Sequence, residues 1–106
     1  ECAFGFHCKN GGDGFGHCLF NMASCGTPLI TRYSDYKNKL GGSLISDKTS
    51  IIVDGYSPEH IADMITKAWS DGSCYNMGIE IRRIFEKDCD FEQEAIRIDS
   101  WLQCLT

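Results

Sequence analysis

Leu44-Ile45-Ser46-Asp47-Lys48-Thr49-Ser50-Ile51-Ile52-Val53, or LISDKTSIIV, sets two short apolar runs on either side of a polar Ser-Asp-Lys break. β-Branched residues bounded by turn formers have the composition of paired strands, and Gly41-Gly42 closes the stretch on its other side. The segment predicts a β-hairpin, and with it an antiparallel sheet.

Upstream, Phe4 and Phe6 alternate with small or polar residues between Cys2 and Cys8, the period of a half-buried strand. Asn10-Gly11-Gly12-Asp13-Gly14 then forces a turn, since successive glycines admit positive φ and Asp accepts hydrogen bonds from the following backbone. Beyond it Phe15, Cys18, Leu19, Met22 and Cys25 recur at intervals of three and four, with Gly26 as a stop, and favour a helix over a second hairpin strand. Downstream, Ser57 is an N-cap and Pro58 a first-turn proline, and Ile61, Met64, Ile65, Ala68 and Trp69 follow with helical spacing as far as Asp71-Gly72.

The last third carries two periods at once. Ile79, Ile81 and Arg83 alternate and predict a strand, although Ile81, Ile84 and Phe85 also fit one helical face. Phe91, Ala95, Ile98 and Leu102 have helical spacing while Ile96 to Asp99 alternates, which predicts a helix breaking into a strand near Ile96. The expected fold is α+β: a disulfide-stabilised two-layer sandwich, with an antiparallel sheet and two or three helices on one face.

At 106 residues the chain fits one domain, 1–106, and is too short for two well-buried cores. A hydrophobic fraction of 42% speaks against disorder. The longest purely apolar run is Ile51-Ile52-Val53, far below the roughly 18 residues that a spanning helix needs, so no membrane insertion is expected. A net charge of -5, with Arg32, Lys37 and Lys39 scattered and only Arg82, Arg83 and Lys87 grouped, argues against binding to nucleic acid. The opening has no charged segment followed by an apolar one and reads as a mature form, and none of Asn10, Asn21, Asn38 or Asn76 begins an N-glycosylation acceptor.

Seven cysteines are the strongest compositional signal: Cys2, Cys8, Cys18, Cys25, Cys74, Cys89 and Cys104. That density suits a secreted, cross-linked domain, with one cysteine left unpaired. A zinc site from His7-Cys8 and His17-Cys18 is disfavoured, because adjacent side chains diverge on a strand or helix and zinc knuckles use wider spacing. A catalytic thiolate at Cys18 beside His17 is disfavoured because catalytic partners usually come from separate elements. No metal, cofactor or catalytic residue is therefore expected. Cys2 and Cys8 on a strand lie roughly 20 Å apart and Cys18 and Cys25 on a helix roughly 10 Å apart, beyond the reach of a disulfide. Bridges should then join this N-terminal quartet to Cys74, Cys89 and Cys104, apart from a link from Cys2 or Cys8 to the following helix.

An aromatic-glycine strand ending in Cys8-Lys9, followed by Gly16-His17-Cys18-Leu19-Phe20, resembles the small cysteine-rich effectors secreted by plant-pathogenic fungi. The likeness is to the paired avirulence and xylem-secreted types and, more distantly, to α/β-sandwich killer toxins. The resemblance implies a secreted, non-enzymatic virulence protein that works by contact with a second effector or a host plant protein. Tyr33, Tyr36 and Tyr56 are candidate contact residues, because tyrosine offers apolar area with a polar tip. A killer-type toxin, a small acidic ribonuclease using His7, His17 or His60 with Glu59, and an inhibitor or ion-channel toxin presenting a loop such as Ser34 to Gly42 are the alternatives.

Overall fold

The computed structural model describes residues 3–12 and 16–105. Three short strands, β1 (Gly5–His7), β2 (Leu29–Thr31) and β3 (Ser50–Ile52), form one sheet in the order β1-β2-β3. Four helices accompany them: α1 (His17–Ser24), α2 (Pro58–Ser70), α3 (Ser73–Asp88) and α4 (Phe91–Cys104). Both strand pairs are parallel, with Phe6 opposite Ile30 and Ile30 opposite Ile51. This corrects the antiparallel sandwich. Leu44 lies in a 3-10 turn, Leu40–Leu44, and Ile51 pairs with Ile30, so no hairpin joins the two runs.

The physical reason lies in burial. A parallel sheet is covered on both faces, so its strands read as continuous apolar runs instead of alternating ones. Leu29 packs with Leu19, Ala23, Leu44 and Ile81 on one side, while Ile30 and Ile51 pack with Ala68, Met64 and Ile65 on the other. Helices therefore sit on both faces, not one: α1 and α3 on the first, α2 on the second.

Parallel neighbours need crossovers. Helix α1 supplies the first. The second, residues 32–49, contains no α-helix and is held by burying Tyr36, Leu44 and Ile45 and by Thr49, whose Oγ1 donates to the Leu44 carbonyl at 2.7 Å. Within the Ser34 to Gly42 segment Asp35, Tyr36 and Gly41 are buried while Ser34, Lys37, Asn38 and Leu40 are exposed.

Helix α2 follows its sequence signals: the Ser57 side chain accepts from the His60 N–H at 3.2 Å, Pro58 opens the helix, and Gly72 takes φ +79 beyond its end. Trp69 lies outside the buried face. Helix α3 replaces the strand expected around Ile79 to Arg83. Its face is Met77, Ile81, Ile84 and Phe85, and Gly78 explains how it seats: a Cβ there would lie 2.4 Å from the Gly26 carbonyl oxygen at the end of α1. Only glycine lets the two backbones approach so closely. Phe20 and Phe85 meet edge to face at 6.4 Å further along the same contact.

Helix α4 is unbroken through Ile96, so the predicted helix-to-strand change does not occur. It contributes no buried residue. The molecule measures 61 × 29 × 20 Å with a radius of gyration of 16.2 Å, against about 13 Å for a compact chain of this length. The body is compact and α4 projects from it.

Six cysteines, Cys8, Cys18, Cys25, Cys74, Cys89 and Cys104, are free thiols, which overturns the disulfide framework for the described residues; Cys2 lies outside them. The elements explain why the ends are not tied. Cys104 rides on the projecting helix, Cys89 closes α3, Cys8 follows β1, and Cys18 and Cys25 stand at opposite ends of α1. Cys25 and Cys74 line one shallow groove with Trp69, Tyr75 and Arg82, yet neither is bonded.

Candidate functional site

Parallel sheets place chemistry at the carboxyl ends of their strands. Here those ends bring together His7 at the end of β1 with Cys8 after it, Arg32 to Tyr36 after β2, and Asp54 after β3. His7 Nε2 and the Tyr36 hydroxyl are 2.8 Å apart, and Thr31 Oγ1 donates to the His7 carbonyl at 2.6 Å. Arg32 Nε donates to Asp35 at 2.9 Å, and the Asp54 carboxylate accepts from the Tyr33 and Ser34 N–H groups at 2.6 and 3.0 Å. Burial pushes the Asp54 carboxyl up, but the hydrogen bonds from Ser34 and Tyr33 outweigh it and leave its pKa below the usual aspartate value.

These polar groups are occupied in holding the 3-10 turn Tyr33–Asp35 against the sheet. Burial raises the Cys8 pKa, with Arg32 only partly opposing it, so this thiol is not activated for attack. Among the described residues no buried side-chain polar atom lacks a partner, and no three His, Cys, Asp or Glu side chains converge as a metal requires.

The ribonuclease candidates are spread over separate elements. His7 engages Tyr36 at the end of β1, and His17 opens α1. His60 stacks on Tyr56 at 4.6 Å in the first turn of α2, and neighbouring Glu59 is set a helical step of about 100° away from it. Of the three tyrosines expected at a contact surface, Tyr33 and Tyr56 are exposed, but Tyr36 is fully buried in the core.

The feature that does stand open is α4. Asp90 caps it, its carboxylate accepting from the Gln93 N–H at 3.1 Å, and Glu92 and Glu94 complement the helix dipole in its first turn. Phe91, Ala95, Ile98, Leu102 and Leu105 recur at alternating steps of four and three, and Trp101 borders them. At 3.6 residues per turn they form one stripe roughly 120° wide. Every residue from 90 to 105 is exposed, with Phe91 at 76% and Trp101 at 62%. Fully exposed aromatic side chains offer about 150–250 Å² each, so the stripe presents on the order of 500 Å² of apolar surface. The largest apolar patch on a typical monomer is about that size and is often functional.

The sequence shows most of this stripe, in Phe91, Ala95, Ile98 and Leu102. It misses Trp101 and Leu105, which continuation of the same spacing would have included. Arg32 and Asp35 pair locally at i,i+3, but the arrival of Asp54 beside them had no local signal, because only the parallel topology brings it there.

Fold and surface together define a small α+β protein with a three-stranded parallel sheet and a projecting amphipathic helix. No family model matches the sequence, and neither curated proteins nor solved structures give a match.

Proposed function

We propose that this protein acts by binding another protein through the apolar face of α4, and not by catalysis. The observation that carries this reading is that a helix with a continuous apolar stripe is exposed along its whole length. Most helices in proteins draw their stability from packing an amphipathic face, and one of 14 residues is marginal alone. A partner laid along the stripe supplies the missing packing. With about 500 Å² on this side, the contact falls at the small end of specific interfaces and suits a reversible, micromolar association. The raised pKa of the Cys8 thiol and the structural use of the Asp54 carboxylate support the non-catalytic side of the proposal. The reading keeps the recognition half of the effector expectation and sets aside its cross-linked scaffold.

The test is a pair of measurements on the double variant Ile98→Asp/Leu102→Asp. Partners captured by the intact protein are identified, purified and titrated back. Binding should fall at least a hundredfold for the variant, while its urea midpoint stays within error of the parent because neither residue is buried. Undiminished binding, or a large loss of stability, refutes the proposal.

A further inference from the structure

We infer that the occupant of the α4 face is a basic amphipathic helix of a different protein. This inference rests on the docking role proposed for α4 and adds the chemistry of its partner.

Between residues 90 and 105 stand four carboxylates, Asp90, Glu92, Glu94 and Asp99, and one guanidinium, Arg97. Arg97 pairs with Glu94 at 3.3 Å. Glu92 and Asp99 share the opposite flank, two turns apart, with no cation between them. The helix dipole accounts for acidic groups at Asp90, Glu92 and Glu94, but its influence is confined to the first turn and does not reach Asp99, whose carboxylate accepts from Gln103 Nε2 at 2.9 Å and keeps its charge without a cation. In paired helices the positions bordering the apolar seam select the partner by charge.

That selection disfavours a second copy of this chain. A parallel pair would set Glu94 against Asp99 of the other copy, and an antiparallel pair would set Glu92 against it, carboxylate facing carboxylate either way. It also disfavours a membrane surface, where interfacial helices carry Lys and Arg to meet anionic lipid. Lys or Arg flanking an apolar seam answers both the stripe and its acidic border.

Two designed 21-residue amphipathic peptides test this, with identical Leu/Ile seams and either Lys or Glu at the flanking positions. Trp69→Phe leaves Trp101 as the sole tryptophan of the intact chain and its fluorescence as the readout on α4. At 50 mM salt the Lys peptide should bind at least about tenfold more tightly than the Glu peptide, and the difference should shrink at 0.5 M salt as screening grows. Glu92→Lys/Asp99→Lys should reverse the preference, and Ile98→Asp/Leu102→Asp should abolish binding of both peptides. Equal affinity for the two peptides overturns the charge selection while leaving docking on α4 intact. Binding of neither refutes the docking role itself. Dimerisation of the chain in sedimentation, lost in Ile98→Asp/Leu102→Asp, overturns the inference in favour of a second copy.

Discussion

Replacing Gly78 by alanine should weaken this protein, although the same change in an ordinary helix strengthens it. Alanine gains about 1 kcal/mol over glycine in a helix interior through backbone entropy. At position 78 the new methyl group would lie 2.4 Å from the Gly26 carbonyl oxygen and 3.6 Å from Pro28 Cδ. The closer atom belongs to the backbone, and Gly26 is itself held by its N–H donating to the Ala23 carbonyl at 3.0 Å. Relief therefore requires α1 and α3 to move apart, which disturbs Leu19, Ala23 and Ile81 between them. Overpacking of this kind costs about 1–3 kcal/mol, and more where no side chain can yield. With a backbone atom in the way the cost falls at the upper end, about 2–3 kcal/mol, so the net loss should be about 1–2 kcal/mol, lowering the thermal midpoint by roughly 5–15 °C for a chain of this size. Urea and thermal unfolding of Gly78→Ala beside Ser100→Ala on the exposed α4 make the comparison, with Ser100→Ala expected near zero. A Gly78→Ala protein as stable as the parent would refute the close approach of α1 and α3.

Two more expectations follow from the site. The Asp54 pKa is depressed on folding, so its contribution is present above the unfolded value near 4 and is lost as pH falls through the folded one. Asp54→Asn should cost about 1–2 kcal/mol at pH 7, and parent and variant should converge by pH 2; parallel stability curves over that range would refute the role of the carboxylate. In native buffer at pH 8 iodoacetamide should label the exposed Cys18, Cys25 and Cys104 before Cys8 and Cys89, whose thiols burial pushes up. Peptide mapping that finds these cysteines oxidised, or all labelled at one rate, would contradict the arrangement of thiols.

How far the sequence could be read depended on how local each signal was. Helix α2 was legible because its cap, its proline, its period and its terminal glycine all fall within one short segment. Helix α3 was misread because Ile79, Ile81 and Arg83 alternate, while the distinction that matters is tertiary: Ile81 is buried and Ile79 is exposed. Strand β2 was missed because Leu29-Ile30-Thr31 is three residues buried on both faces, which leaves no alternation to detect. The direction of the sheet was hidden for the same reason. Cysteine density suggested cross-links, but it carries no information on which elements hold the thiols. On α4 the spacing was visible, whereas its lack of any buried residue became clear only when the core formed by the other described residues was complete without it.

That independence has an evolutionary consequence. A substitution between residues 90 and 105 alters what the helix can touch without loosening Leu19, Leu29 or Ile81, so drift in that segment escapes the purge that removes unstable variants. On the proposed docking role, affinity and foldability would thus rest on separate stretches of one short chain. If α4 is the docking face proposed above, one partner could be exchanged for another through residues 90 to 105 while the sheet stays as it was.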